Sequence, residues 1–169
     1  PERVRLTYNA QGRPELADET APDGLRFNVS HSGALALVAA TRGRAIGVDI
    51  EQVHERAAAM GIARRFFSRE EVAALRALPA EARRVGFLNC WTRKEAYIKA
   101  KGQGLSLPLD KFSVTLAPGD PPALLRTQDD PAEAGRWALH AIDAGPGYVA
   151  AVAVEGHGLR IEVIDWGAA

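Results

Sequence analysis

The sequence holds a single cysteine, Cys90, among its 169 residues. One thiol builds neither a disulfide framework nor a cysteine-rich zinc site, which favours a reducing compartment. Long hydrophobic runs are missing too. The longest, such as Tyr148 to Val154, fall far short of the ~20 apolar residues that span a bilayer. The opening residues carry no charged stretch followed by an apolar one, so no secretory signal is expected. Net charge of either sign is absent, with 21 basic against 21 acidic residues, which gives no bulk attraction to nucleic acid or membrane. No internal repeat and no low-complexity tract interrupts the chain. These absences favour the cytoplasm, and a monomer with neither nucleic acid nor membrane as partner is the expectation. What remains, 47% apolar and 25% charged residues, is an ordinary globular composition, enough for one domain or two small ones.

The balanced charge is unevenly distributed. From Arg56 to Lys111 there are 12 basic residues against 5 acidic ones, and all four lysines (Lys94, Lys99, Lys101, Lys111) fall within 18 residues. Such a cluster is either a solvated helix face or a positive patch for a phosphorylated ligand or an acidic partner.

Strand-like runs are Arg26–Ser30, Leu35–Thr41, Ala45–Glu51, Phe112–Leu116, Trp137–Ile142, Tyr148–Val154 and Leu159–Ile164. Leu35 to Glu51 reads as a hairpin around Arg42-Gly43-Arg44. The middle of the chain is helical. Ser68-Arg69-Glu70-Glu71 is a capping box that starts a short helix ending near Pro79. A longer helix runs from about Ala82 to Lys101, closed by Gly102 and Gly104. The fold class is therefore α+β, mostly antiparallel strands with helices inserted.

Within Ile46-Gly47-Val48-Asp49-Ile50-Glu51 the residues alternate, so Asp49 and Glu51 leave one face ~6.6 Å apart along a strand. They are either the solvated outer face of a half-buried strand or two ligands of a metal, with Gly47 leaving room beside them. Glu95 falls on the apolar stripe of the long helix, among Phe87, Leu88, Trp91 and Ile98, one turn before Lys99. It is either a Glu–Lys helix pair or a third metal ligand. Three carboxylates suit Mg²⁺, or Mn²⁺, rather than zinc, and a lysine beside them suits phosphoryl chemistry. Asn28-Val29-Ser30-His31-Ser32-Gly33 gathers hydroxyls, an imidazole and turn amides into an anion site, although His31 is equally a turn histidine bonded to backbone. A hydrolase triad of Ser30, His31 and Asp49 lacks the Gly-x-Ser-x-Gly elbow. His54, His140 and His157 read as structural or surface residues, Cys90 as part of a helix core, and Trp137 and Trp166 as packing residues.

Taken in order, four stretches resemble the Sfp-type 4′-phosphopantetheinyl transferases: Phe27-Asn28-Val29-Ser30-His31-Ser32, Gly47-Val48-Asp49-Ile50-Glu51, Arg65-Phe66-Phe67-Ser68, and Trp91-Thr92-Arg93-Lys94-Glu95-Ala96-Tyr97-Ile98-Lys99. The last continues through Gly102-Gln103-Gly104-Leu105-Ser106-Leu107, and Gly12-Arg13-Pro14 is a weaker fifth match. The resemblance implies a pair of pseudo-symmetric α+β halves with coenzyme A bound between them. It implies transfer of the phosphopantetheine arm of coenzyme A to a serine of an acyl, peptidyl or polyketide carrier protein, with release of adenosine 3′,5′-bisphosphate. By position, Asp49, Glu51 and Glu95 would bind Mg²⁺. Ser30, His31 and Arg13 would contact the coenzyme A phosphates. Lys99 would neutralise the pyrophosphate, and Glu95 would take the proton of the carrier serine. The basic segment from Arg64 to Arg84 would receive an acidic carrier helix.

Family members carry a longer stretch ahead of the serine-histidine motif, and this chain opens at Pro1 rather than Met. The expectation is a shortened first half, residues 1–24, followed by a transferase half, 25–169. Two readings compete with turnover: a coenzyme A-binding or carrier-docking module without it, and an unrelated metal-dependent hydrolase on a similar frame.

Overall fold

The computed structural model describes residues 4–9, 12–17, 24–53, 59–102 and 107–166. Among the described residues nine strands and three α-helices follow in chain order. Strands β1 (Leu6–Tyr8), β2 (Pro14–Leu16), β3 (Leu25–Ser32), β4 (Leu35–Arg42) and β5 (Ile46–Gln52) precede three helices: α1 (Ala59–Phe66), α2 (Arg69–Ala77) and α3 (Arg83–Lys101). Strands β6 (Phe112–Val114), β7 (Leu124–Thr127), β8 (Trp137–Ile142) and β9 (Tyr148–Glu155) complete the fold. Four small antiparallel sheets result: β1-β2, β3-β4, β6-β7 and a three-stranded sheet of order β5-β9-β8.

The helix signals act as the sequence predicts. Ser68 caps α2 and Glu71 returns the bond to the Ser68 amide, so the capping box is complete. At the other end of the helical region Gly102 takes a left-handed conformation, φ 67°, and its N–H closes α3 on the Lys99 carbonyl.

α3 lies across β5 and β9, and small side chains let it approach. Gly47 pairs with Ala153 and Asp49 with Ala151 on the face beneath the helix. A Cβ built on Gly47 would sit 2.1 Å from the Ala96 carbonyl oxygen. The space beside Gly47 is thus filled by helix backbone rather than left for a ligand, and β5 is buried along most of its length. Asp49 and Glu51 do not lie on a solvated outer face; they lie under a helix. Ala151, Ala153 and Leu139 join Phe67, Leu75, Phe87, Leu88, Tyr97 and Phe112 in the main core. Opposite α3, Ile46, Val48, Val152 and Val154 pack with Leu37 and Ala39 of β4.

Several expectations are corrected. The hairpin is β3-β4, with Val29 opposite Val38. β5 leaves β4 to pair with β9, because its apolar face and that of β9 close over the same core. No strand forms over 159–164, where Val163 and Ile164 are exposed. Trp166 is 95% exposed and stands outside the core, whereas Trp137 and Cys90 are buried as expected. Helix α1 and strands β1, β2 and β7, each eight residues or shorter, are additions to the elements expected from the sequence. His54 and the predicted cap Gly104 lie outside the described residues.

Gly47→Ala drives a methyl group into backbone that cannot rotate away, and overpacking of that kind costs about 3 kcal/mol. The expected outcome in urea unfolding is a lower midpoint with an unchanged slope. A midpoint matching the parent's would show that α3 lies farther from β5 than the structure has it.

Candidate active site

Among the described strands β5 pairs with β9 alone, along one edge. The buried N–H and C=O groups of its second edge still need partners, and side chains supply them. Asn28, Ser30 and Ser32 stand at alternate positions of β3. Asn28 Oδ1 accepts from Val48 N at 2.9 Å, Ser30 Oγ from Ile50 N at 3.4 Å and Ser32 Oγ from Gln52 N at 3.0 Å. Two cations close the carbonyls: Arg13 Nη2 donates to Ile46 O at 2.9 Å and Lys99 Nζ to Val48 O at 3.2 Å. Five side chains therefore substitute for a missing strand.

The same groups organise the carboxylates. Ser30 Oγ donates to Asp49 Oδ1 at 3.0 Å, and Ser32 Oγ to Glu51 Oε2 at 3.2 Å. Lys99 Nζ lies 2.7 Å from Asp49 Oδ1 and 3.0 Å from Ser30 Oγ. Asp49 is 5% exposed. Burial raises its pKa, and the Lys99 ammonium works against that rise. Glu95 comes down from α3 into this field, where burial first and then the Asp49 charge push its pKa up to about 6. A carboxylic acid with that value changes charge close to neutral pH, as a proton acceptor requires.

The donor set fits a hard cation. Asp49 Oδ2 is buried without a hydrogen-bond partner, and a divalent ion would offset both the burial and the Asp49 charge that raise Glu95. Among the described residues no three His, Cys, Asp or Glu side chains already converge at ligand distance. The Lys99 ammonium supplies the positive charge at Asp49 instead.

Other expected site residues are placed differently. His31 follows Ser30 on β3, so it faces the opposite side, exposed. Arg13, expected to face a phosphate, directs both Nη atoms to backbone carbonyls, at Lys99 O (2.6 Å), Ile46 O and Phe27 O (3.2 Å). His157 is at the surface against Gly135 O, and His140 is half-buried with Nε2 unpartnered.

Two supports escaped the sequence reading. Lys94, the residue before Glu95, is fully buried. Its Nζ lies 2.8 Å from Glu71 Oε2 and donates to Leu109 O and Phe112 O at 2.6 and 2.5 Å. Glu71 also accepts from Ser68 N and Val114 N, both at 2.8 Å. This pair ties α3 to the start of α2 and to β6. Glu133 does the same farther along, taking Tyr97 Oη, Lys101 Nζ and Trp137 Nε1 on one oxygen. The signal available for Asn28 and Ser32 was their spacing of two around Ser30. No local signal marks Glu71 as the partner of Lys94.

Residues 45–153, which include β5, all three helices and most of β9, match the family described as the 4′-phosphopantetheinyl transferase superfamily. The chain belongs to that superfamily. It is 40% identical over 158 residues to the 4′-phosphopantetheinyl transferase HetI of a Nostoc species, covering 94% of this chain and 63% of that protein. Against the 4′-phosphopantetheinyl transferase Sfp of Bacillus subtilis it is 40% identical over 113 residues, 67% of this chain and 48% of the relative. The chain thus spans about half to three fifths of these relatives. The crystal structure of Thermotoga maritima holo-[acyl-carrier-protein] synthase superposes with a TM-score of 0.52 at 22% identity, over 66% of this chain and 62% of that one. That likeness bears out the α+β fold. No helix among the described residues is long and apolar enough to cross a membrane.

The raised pKa of Glu95 has a sign. An acid whose folded-state pKa lies above its ordinary value of 4.5 costs nothing below that pH. Its charge then destabilises the fold progressively as pH rises through about 6. In EDTA, Glu95→Gln is expected to melt higher than the parent above pH 6 and together with it below pH 4.5. A constant offset across that range would show that neither burial nor the Asp49 charge raises Glu95.

Proposed function

We propose that the chain transfers the 4′-phosphopantetheine group of coenzyme A to a serine of an acyl, peptidyl or polyketide carrier protein, releasing adenosine 3′,5′-bisphosphate, in the cytoplasm. The observation that carries this reading is the convergence of Ser30, Asp49 and Lys99 within 3.0 Å of one another, with Glu95 in their field. These are residues of the family's separate motifs.

In the reaction the carrier serine oxygen forms a bond to the phosphorus that bears pantetheine. The bond from that phosphorus to the bridging oxygen breaks, and the bisphosphate leaves with the electron pair. Asp49, Glu51 and Glu95 would hold Mg²⁺, or Mn²⁺, which neutralises pyrophosphate charge when bound. Glu95, with a pKa of about 6, takes the serine proton, directly or through water. Lys99 turns its ammonium from Asp49 to the pyrophosphate and the leaving group, where charge develops in the transition state. His31, on the exposed face of β3, remains the candidate contact for a coenzyme A phosphate.

The carrier docks on charge. Arg64, Arg65, Arg69, Lys111 and Arg126 line a cleft of about 470 Å³ beside the start of α2, and outnumber its two acidic residues, Asp110 and Glu70, the latter paired with Arg126. Arg83, expected in this contact, instead donates to Leu78 O and Arg76 O and finishes α2. Reversing Arg64 and Arg65 to Glu is expected to raise KM for an acidic carrier about tenfold at low salt, with the difference fading at high salt. An unchanged KM at low salt would place the docking surface elsewhere.

A second reading is a coenzyme A-binding or carrier-docking module without turnover, favoured by the Lys99 ammonium already seated on Asp49 where a metal would bind. Intact-mass spectrometry of an apo carrier protein incubated with the chain, coenzyme A and Mg²⁺ separates the two. Transfer adds one phosphopantetheine mass, and EDTA abolishes the gain. Coenzyme A binding without a mass gain assigns the module. With turnover established, Asp49→Ala is expected to abolish it while the fold persists. Lys99→Ala should lower kcat by about 100-fold, more than it weakens coenzyme A binding. Equal losses in kcat and in affinity would make Lys99 a ground-state contact.

A further inference from the structure

Arg13 immediately precedes β2, at the end of the turn that joins it to β1. Gly12 takes the left-handed conformation there, φ 76°, and Asn9 Oδ1 accepts the Arg13 amide at 2.9 Å. Pro14 then starts β2 opposite Tyr8. The turn aims the guanidinium inward, to a point where three elements meet. Nη1 donates to Lys99 O at 2.6 Å, in the last turn of α3. Nη2 donates to Ile46 O on the open edge of β5 at 2.9 Å and to Phe27 O on β3 at 3.2 Å. Nε is buried without a partner. These three acceptors belong to the elements that carry Lys99, Asp49 and Ser30.

We propose that Arg13 is a positioning residue, not a phosphate ligand: its guanidinium locks the end of α3 to β5 and β3, and so sets the reach of the Lys99 ammonium to Asp49 and Ser30. The carbonyl it holds is that of Lys99 itself, already the acceptor of the Gly102 cap at 3.1 Å. One residue thus receives a second, charge-assisted bond at the point where its helix ends. The geometry demands the planar fork, since two Nη atoms serve three carbonyls on three elements. A lysine brings one ammonium on a flexible stem and cannot span them.

The inference rests on the transferase reading for its kinetic part but not for its structural part, so the two can fail separately. Arg13→Met and Arg13→Lys are compared with the parent by amide hydrogen exchange, by calorimetric titration with coenzyme A, and by kcat. Positioning predicts that both variants speed exchange about tenfold or more in the last turn of α3 and at β5, with the amides of α2 and β8 unchanged. It predicts affinity for coenzyme A within about threefold of the parent. It also predicts a kcat lower by about 10–100-fold in both variants, as expected of a misplaced catalytic group.

A phosphate ligand would behave otherwise. Arg13→Lys would keep its charge and stay near the parent, Arg13→Met would lose affinity for coenzyme A, and exchange at the α3 terminus would not change. That pattern overturns the proposal, as does a uniform rise in exchange across the chain or loss of the fold in both variants. If the parent shows no turnover, the transferase reading fails on its own, and the localised exchange still decides the role of Arg13.

Discussion

One edge of β5 organises the site. A strand that carries two acidic residues and pairs on a single side leaves buried backbone groups with nothing to bond. A further strand would satisfy them, but would also place its own backbone where the site must open. Side chains do it instead. Asn28, Ser30 and Ser32 take the amides, while Arg13 and Lys99 take carbonyls. Because each of these side chains is short or tightly held, the edge stays paired while Ser30, Ser32 and Lys99 remain in contact with Asp49 and Glu51. The bonding that makes the fold is the bonding that orients the chemistry.

Burial then sets the electrostatics. Gly47, Ala151 and Ala153 let α3 descend onto β5 and β9, and the helix covers the acidic face. Covering carboxylates raises the free energy of their charged forms. Asp49 is compensated by the ammonium 2.7 Å away. Glu95 is compensated less, and its pKa near 6 records the imbalance. One carboxylate is thereby anchored and another is able to exchange a proton close to neutral pH.

The long helix divides its motif between two tasks. Glu95 and Lys99 face the open edge of β5. Lys94 and Tyr97 face the other way, into Glu71 and Glu133, and bind α3 to α2, to β6 and to the strand pair that closes the core. A buried Lys–Glu pair is a weak source of net stability, yet losing one partner leaves a charge that costs about 3–5 kcal/mol. Its effect is to fix the rotation of α3 about its axis. A rotation of one residue would turn Glu95 into the core and Lys94 into the site.

Local chemistry was legible along the chain. The capping box at Ser68 and Glu71, the Gly102 stop, the alternation through Asp49 and Glu51 and the apolar strands β8 and β9 are all short-range patterns, and short-range patterns dictate local conformation. The motifs that mark the family were legible for the same reason. Sequence spacing could not reveal which strand β5 would choose, since β4 and β9 both offer apolar faces and only the closed core favours β9. Nor could it show that Gly47 receives a helix rather than a ligand, that Glu71 answers Lys94, or that Arg13 grips the carbonyl of Lys99. Each of those contacts joins residues far apart in the chain. Their partners are selected by how the packed elements meet, and so only the tertiary structure could decide them.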